Sequence, residues 1–297
     1  PLRALLALAP RAKGGRRLAP AADTPRAARV EPARKRVALV TGCVQTVIAP
    51  EINAATIRVL ERCGVEVVTV DGCCGAIVHH LGKERGANAL AAALVERLSA
   101  ELDGAGLDAI VANASGCGTH VKDYGYVLRH DAELAAKAAA VSAKARDVTE
   151  LLAEIGLPAV APSAPKLTVA YHSACSMQHG QKVEREPRAL LTAAGFEVRE
   201  IAEGHLCCGS AGTYNILQPE LATRLRSRKL GNIARTGAEV VATGNIGCMT
   251  QLAAAARVPV VHTVELLDFA TGGPLPPALA NLPNTAASNA ARANGGN

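Results

Sequence analysis

The sequence predicts an α/β protein built from two similar units in tandem, each with a parallel sheet. Short β-branched runs alternate with segments of helical periodicity, and the same order of elements recurs after roughly 130 residues. Aromatic residues are scarce, with two Phe, four Tyr and no Trp. The core must therefore be made of Ala, Val, Leu and Ile, which is typical of helices packed on a parallel sheet.

The first unit, residues 36–157, is predicted to be β-α-β-α-β. The apolar run RVALV precedes PEINAATIRVLERCG, which has helical spacing and is bounded by Pro50 and Gly64. The β-branched run VEVVTV, a helix over 84–103 and the strand DAIVANASGCG, ending at a cysteine, follow. Residues 130–155 are predicted to form one or two Ala-rich helices. Such β-α-β units favour right-handed crossovers and parallel strands.

The second unit, residues 158–272, repeats this order after the Pro-rich joint PAVAPSAPK. LTVAYHSAC and AEVVATGNIGC are predicted strands that end at a cysteine, and FEVREI and VPVVHT are further strands. EPRALLTAAG and PELATRLRSRKLGNIARTG are predicted helices. VELLDFA matches DVTELLAEI of the first unit, which supports an internal duplication.

The two ends of the chain differ in composition from the body. Residues 1–35 form a predicted Pro/Ala/Arg-rich linker, and residues 273–297 a predicted disordered tail. Residues 1–36 carry ten basic and two acidic residues, so the rest of the chain, whose total charge is +6, is near neutral. The scarcity of aromatic residues argues against nucleic-acid binding. No apolar run reaches the roughly 20 residues that cross a bilayer.

Eight of the nine cysteines follow one pattern that occurs once in each unit: a cysteine, a Cys-Cys-Gly triplet and a further cysteine. The intervening stretches have 29 and 42 residues in the first unit and 31 and 39 in the second. The two sets are Cys43, Cys73, Cys74 and Cys117, and Cys175, Cys207, Cys208 and Cys248. Because the carboxyl ends of parallel strands share one edge of a sheet, we expect the four thiols of each set to converge.

Four converging thiolates suit an iron–sulfur cluster or a structural Zn²⁺, since both prefer soft sulfur ligands. The glycine after each pair, Gly75 or Gly209, permits a tight turn beside an inorganic core. Side chains of adjacent residues tend to diverge, so whether both sulfurs of a pair bind one centre stays open. Free cysteine is often a small buried hydrophobe, and Cys63, which has no counterpart in the second unit, is interpreted in this way.

Two Cys…CCG…Cys repeats in one chain resemble the paired CCG domains of heterodisulfide reductase. The stretches DGCCGAIVHHLG, ANASGCGTHVKDYG and CCGSAGTYNILQPELA are more closely similar to the C-terminal half of the glycolate oxidase (glycolate dehydrogenase) iron–sulfur subunit. The resemblance covers roughly residues 36–272. It implies two tandem Rossmann-like, parallel-sheet CCG domains.

The resemblance implies that the eight cysteines bind iron–sulfur clusters of the [4Fe–4S] type, with zinc in one half as an alternative. It implies a subunit that passes electrons from FAD-containing glycolate oxidase subunits, which oxidise glycolate to glyoxylate, toward a quinone-type acceptor. No catalytic residue is assigned to this chain. In the family two ferredoxin-type motifs precede the CCG pair, so we expect this chain, which has no initiator Met, to be part of a longer protein. The expected location is cytoplasmic, with at most peripheral contact with the inner face of the membrane.

One departure from the family concerns the last cysteine of each set. The CCG domains of heterodisulfide reductase end each motif with C-x-x-C, whereas this sequence has Ala114 and Asn245 at the first of those positions. A five-cysteine, non-cubane cluster therefore does not match either set. Three other functions stay open: the iron–sulfur subunit of a lactate or glycerol-3-phosphate dehydrogenase, a zinc-stabilised docking scaffold, and a thiol–disulfide reductase.

Histidines near the motifs are candidates to tune a cluster or to move protons. The alternative for each is a loop or strand-end histidine that bonds to the backbone. His172 lies three residues before Cys175, and His120, three residues after Cys117, is the candidate to replace a missing ligand. The full set is His79, His80, His120, His172, His179, His205 and His262.

Overall fold

The computed structural model describes residues 35–161 and 166–282. These residues form two four-stranded sheets, and every strand pairing is parallel. The strand order is β2-β1-β3-β4 in the first sheet and β6-β5-β7-β8 in the second, so the two sheets have the same topology. The predicted duplicated α/β fold is confirmed. The predicted linker up to residue 34 and the tail from residue 283 lie outside the described residues.

The first sheet has helices between its strands. Its strands are β1 (Lys35–Val40), β2 (Val65–Val70), β3 (Ala109–Ala112) and β4 (Ala145–Asp147). Its helices are α1 (Gln45–Ile48), α2 (Pro50–Arg62), α3 (Ala76–His80), α4 (Glu84–Asp103), α5 (Ser115–Lys122), α6 (Tyr124–Val127), α7 (Ala135–Lys144) and α8 (Val148–Ile155). Pro50 begins α2 and Gly64 follows its end, as predicted.

The second sheet repeats this arrangement. Its strands are β5 (Thr168–Tyr171), β6 (Glu197–Arg199), β7 (Val240–Thr243) and β8 (Val260–His262). Its helices are α9 (Glu186–Ala193), α10 (Tyr214–Leu217), α11 (Pro219–Arg235), α12 (Ile246–Ala253) and α13 (Thr263–Ala270), with a π-helix at Ser176–Gln181 and a 3₁₀-helix at Pro277–Leu279. In the matching registers, Val37 pairs with Val67 and Ala109, and Val169 pairs with Val198 and Val240.

Three features differ from the sequence prediction. The first unit has a fourth strand, β4, which is only three residues long and lies between two helices of an Ala-rich segment. The last cysteine of each set lies not at a strand end but in the first turn of a helix, Cys117 in α5 and Cys248 in α12. Residues 273–282, within the predicted tail, include the 3₁₀-helix Pro277–Leu279, whose Leu279 is fully buried in the core.

The two units share one core across a pseudo-symmetric interface. Helix α2 packs against α13, and its counterpart α9 packs against α8. The same buried cluster includes Val37 of β1 and Val169 of β5. At the interface Arg58 and Arg62 of α2 both bind the buried carboxylate of Asp268 in α13, each at 2.5 Å. Because the units are joined by a continuous apolar core, the carboxyl edges of the two sheets are held in a defined relation.

Candidate metal centres

The first cysteine set forms a row of neighbouring thiols at the carboxyl edge of the first sheet. The Sγ atoms of Cys43 and Cys73 are 3.4 Å apart. Cys73 also contacts the thiol of Cys74, which in turn contacts Cys117. The adjacent pair therefore bridges the two outer cysteines, and both of its sulfurs face the same cluster of thiols.

The second set has the same order of contacts. Cys175 contacts Cys207, Cys207 contacts Cys208, and Cys208 contacts Cys248. The backbone N–H of Gly209 also donates to the Cys207 sulfur at 3.3 Å. The structure thus brings together all eight predicted cysteines as two equivalent rows of four.

Contact between the thiols moves their pKa values in opposite directions. Hydrogen bonding to Cys74 raises the pKa of Cys73, and contact with Cys207 raises that of Cys175. In the second row, contact with Cys175 lowers the pKa of Cys207, and contact with Cys208 lowers the pKa of Cys248 to about 6. A neighbouring S–H donor stabilises the thiolate form, which is the form that binds metal.

The glycine of each Cys-Cys-Gly triplet is required by its geometry. Gly75 and Gly209 have φ values of +86° and +91°, in the left-handed region. A Cβ at Gly75 would lie 2.8 Å from the carbonyl oxygen of Ala87, and one at Gly209 would lie 2.4 Å from that of Ala222. In each unit the turn that carries the cysteine pair is therefore pressed against the long helix that follows.

Hydrogen bonds hold the loops of the first set in place. The hydroxyl of Thr41 donates to Asp71 at 2.8 Å and so ties the Cys43 loop to the Cys73 loop. Asn53 of α2 donates to the Thr41 carbonyl at 2.9 Å. The buried hydroxyl of Tyr124 donates to the carbonyl of Cys74 at 2.8 Å. The thiols are thus positioned by a fixed scaffold.

A buried lysine lies beside the second set. Lys229 of α11 is fully buried, and its Nζ donates to the carbonyls of Glu203 at 2.9 Å and Gly204 at 3.3 Å. It is close enough to Cys175, Cys207 and Cys208 for their charges to act on it. Sequence reasoning missed this residue, although its spacing from buried Ala222 and Ile233 places it on the inner face of the helix.

The histidines have different surroundings. His120 is buried between the rings of His79 and Tyr124, with centroid distances of 5.1 and 5.4 Å, and its Nε2 faces the Gly75 turn. Burial lowers the pKa of His120 to about 4. His262 caps α13 and bonds through Nε2 to the carbonyl of Asn113 at 2.8 Å, so it serves the interface between the units.

Two histidines lie near the second set in the sequence but on the surface. His179 and His205 are both exposed. His172, by contrast, is 1% exposed, and its ring lies within 4.8 Å of the Cys208 and Cys248 sulfurs.

The two sets are close together across the interface. The hydroxyls of Ser115 and Ser176 are 2.8 Å apart, and these residues lie within two positions of Cys117 and Cys175. Asn245, three residues before Cys248, donates to the Ser115 hydroxyl at 2.8 Å. Asn245 also caps α12 by accepting from the backbone of Gly247 and Cys248. The residue at the position of the missing cysteine thus binds the helix end and the neighbouring unit.

The donor set fits a thiolate-ligated metal centre in each unit. Each row offers four sulfurs, which suits iron–sulfur clusters and zinc and does not suit Mg²⁺ or Ca²⁺. In the second unit, Lys229 binds neutral carbonyls; burial lowers the pKa of its ammonium, and the neighbouring cysteines Cys175, Cys207 and Cys208 act to raise it. Cys63, outside both rows, packs against the core, and burial raises the pKa of its thiol to about 11.

These features define a class of protein with paired cysteine-rich α/β domains. The cysteine-rich domain family, CCG, matches residues 37–122 and again residues 169–253, and the chain belongs to this family. It is 41% identical over 239 residues to the glycolate oxidase iron-sulfur subunit of Escherichia coli (strain K12), which covers 80% of this chain and 58% of that protein. The predicted resemblance is confirmed, and the chain spans little more than half of that relative.

A shorter relative and a solved structure are also similar. The chain is 24% identical to lactate utilization protein A of Bacillus cytotoxicus, over 78% of this chain and 98% of that protein. The crystal structure of a hypothetical protein from Helicobacter pylori shares the fold, with a TM-score of 0.52 at 12% identity, over 83% of this chain and 51% of that chain. Within residues 35–161 and 166–282, no helix is both long enough and apolar enough to cross a membrane.

Proposed function

We propose that this chain is the electron-transferring, iron–sulfur part of a glycolate oxidase-type complex. The observation that carries the proposal is the pair of equivalent thiol rows, with the same order of contacts, at the carboxyl edges of two joined sheets. Iron–sulfur clusters supply reversible one-electron chemistry when bound. The proposed ligands are Cys43, Cys73, Cys74 and Cys117 in the first unit and Cys175, Cys207, Cys208 and Cys248 in the second.

The protein's contribution is to hold and insulate these ligands. Burial of Cys74 and Cys208 keeps one sulfur of each pair away from solvent, at 4% and 1% exposure. Backbone N–H groups such as that of Gly209 donate to sulfur, which stabilises the electron-rich state of a thiolate centre. The Ser115–Ser176 contact keeps the two rows adjacent, as a relay between two centres requires.

The finer features are part of the same proposal. We assign [4Fe–4S] centres to the rows, an FAD-containing partner as electron donor, a quinone-type compound as acceptor and a cytoplasmic location. Substrate oxidation occurs on the partner. Lactate is the alternative substrate of the complex, because the chain matches nearly the whole length of lactate utilization protein A. Zinc in one row and a thiol–disulfide function are the competing chemistries.

The test is anaerobic purification of the protein followed by iron, acid-labile sulfide and zinc analysis. About four irons and four sulfides per cysteine row are expected, which corresponds to one [4Fe–4S] centre in each. Cys74→Ser and Cys208→Ser should each remove the iron of one row, whereas the matched control Cys63→Ser should remove none. Zinc without sulfide, or a metal-free protein that forms disulfides reversibly, would contradict the proposal.

A second measurement addresses the reaction. With the flavin partner present, glycolate should bleach the iron–sulfur absorbance of the chain, and a quinone should restore it. Bleaching by lactate in place of glycolate would assign the alternative substrate. If neither acid reduces the centres of a fully loaded complex, the glycolate oxidase-type role is wrong.

A further inference from the structure

His172 directly follows β5, and its buried ring has no well-formed hydrogen bond. The residue is 1% exposed. Among the described residues, neither Nδ1 nor Nε2 has a partner at full hydrogen-bond geometry, and the group close enough to interact with the ring is the Cys248 thiol. Leaving a buried polar atom unpaired is costly, so a buried imidazole without a well-formed hydrogen bond indicates that the site receives another group.

The ring faces sulfur. One ligand atom each from His172, Cys208 and Cys248 lie within 4.8 Å of one another, and all three residues are buried. In the described part of the chain this is the one group of three histidine, cysteine or carboxylate residues with such spacing. Imidazole nitrogen and thiolate sulfur together are an established donor combination for iron–sulfur centres and for zinc.

In the first unit no imidazole occupies the equivalent position. The Nε2 of His120 is also buried without a partner and faces Gly75, but His120 belongs to no group of three ligand atoms within 4.8 Å of one another in the described residues. Val37 pairs with Ala109 and Val169 pairs with Val240 at the same point of the two sheets. Val40 and His172 each follow these valines by three residues, so they occupy equivalent positions. Gly75 packs against Ala87, and Gly209 packs against Ala222 in the corresponding helix. Leu94 and Lys229 each lie seven residues after that alanine, so they occupy equivalent positions. All four side chains are buried. A polar, basic pair in the second unit therefore replaces an apolar pair in the first.

We propose that His172 supplies an imidazole nitrogen ligand to the metal centre of the second unit, so that the chain holds two chemically different centres. This inference rests on the proposed metal-binding function. The first centre is bound by four thiolates. In the second, His172 binds beside Cys208 and Cys248 and takes the place of the thiolate of Cys175 or Cys207, so it replaces one of the four ligands proposed above for that row. A cavity of about 150 Å³, lined by His172, Ser173 and Gln178 among others, adjoins the ring. It is polar and large enough for a water molecule to bind the second ring nitrogen.

This asymmetry has a redox consequence. Replacing thiolate by neutral imidazole raises the potential of an iron–sulfur centre, and the ammonium of Lys229 acts in the same direction by favouring the more negative, reduced state. The second centre therefore has the higher potential, and electrons move from the first unit toward the second.

The test uses the anaerobically purified or reconstituted chain with ¹⁵N-labelled histidine and pulsed EPR of its paramagnetic centres. Nitrogen hyperfine coupling is expected from one centre. It should be lost in His172→Cys, which keeps a metal ligand, and in His172→Val, which copies the first unit. The exposed His179→Gln is the matched control and should retain the coupling. In a redox titration, His172→Cys should shift the potential of one centre to more negative values and leave the other unchanged.

Several outcomes would overturn the inference. If iron and sulfide contents are complete but wild-type protein shows no nitrogen coupling, or His172→Cys retains it, His172 is not a ligand and the proposed electron-transfer function still stands. If the wild-type chain binds no iron and sulfide, the proposed function itself fails. Circular dichroism of the variants identifies any that do not fold, and His172→Cys keeps the test decisive if His172→Val does not.

Discussion

The triplet glycine of the second unit provides a test of the site's packing. In Gly209→Ala the residue must keep a φ of +91°, which costs roughly 1–2 kcal/mol for an L-amino acid. The new methyl group would also lie 2.4 Å from the carbonyl oxygen of Ala222, well inside van der Waals contact. Overpacking of this kind costs typically about 1–3 kcal/mol. We therefore expect a total loss of about 2–5 kcal/mol in the free energy of unfolding.

Three further glycines separate these contributions. In Gly75→Ala the new methyl group would lie 2.8 Å from the Ala87 carbonyl oxygen, so the loss in free energy of unfolding should be smaller than for Gly209→Ala. Gly195 has the same φ of +91° with nothing within 4 Å of a new Cβ, so Gly195→Ala should show the conformational cost alone. Gly231 lies inside α11, and nothing lies within 4 Å of a Cβ placed there. Gly231→Ala should therefore stabilise the protein by about 0.5–1 kcal/mol.

The assay is urea unfolding of the anaerobically purified protein followed by circular dichroism, with iron content measured in parallel. The expected order of stability is Gly231→Ala, wild type, Gly195→Ala, Gly75→Ala and Gly209→Ala, and iron content should fall in the last two. Equal losses for Gly209→Ala and Gly195→Ala would refute the reasoning, because they would mean that the turn is not pressed against its helix.

Three other predictions concern the scaffold around the site. Asp268→Asn should cost roughly 2–4 kcal/mol in urea unfolding because it leaves two half-buried arginines without their anion, whereas Lys137→Ala at an exposed ion pair should change little. Tyr124→Phe should cost about 1–2 kcal/mol by leaving the Cys74 carbonyl unpaired, and exposed Tyr126→Phe should be neutral; equal effects would exclude that hydrogen bond as the cause. Burial raises the pKa of Glu265 to about 7 from an ordinary value of 4.5, so its folded form binds the proton more tightly and stability falls as pH rises through 4.5–7. Glu265→Gln should remove this penalty, so the free energy of unfolding of the variant relative to wild type should increase by up to about 3 kcal/mol between about pH 4.5 and 8. An increase that does not depend on pH would contradict the assignment.

The sequence was informative where short-range pattern and covalent order decide the structure. The run VEVVTV and the segment from Pro50 to Gly64 form the strand and helix that their periodicity predicts. β4 was missed because a strand of three residues, Ala145–Asp147, has too few side chains to show alternation. Its strand character depends on pairing with β3, which is a long-range contact.

The cysteine sets were predicted because eight residues of one rare type recur in the same order in two units. Their common position at the carboxyl edge of a sheet follows from the parallel fold. The sequence alone left open whether both cysteines of an adjacent pair face one site. The contacts of Cys73 with Cys43 and of Cys74 with Cys117 bring both sulfurs into one row. That arrangement depends on the left-handed turn at Gly75, which is held in place by α4.

Periodicity, composition and the repeated Cys-Cys-Gly pattern were sufficient to establish a duplicated α/β chain with two thiol-rich sites, because each of these depends on neighbours in the chain. Only the tertiary structure distinguished the two sites. Val40 and His172, or Leu94 and Lys229, occupy equivalent positions, but their equivalence appears only when the sheets and long helices are packed. Burial then determines their chemistry, because an imidazole or ammonium excluded from water must find its partner inside the protein: Lys229 binds the carbonyls of Glu203 and Gly204, and the His172 ring faces the thiols of Cys208 and Cys248.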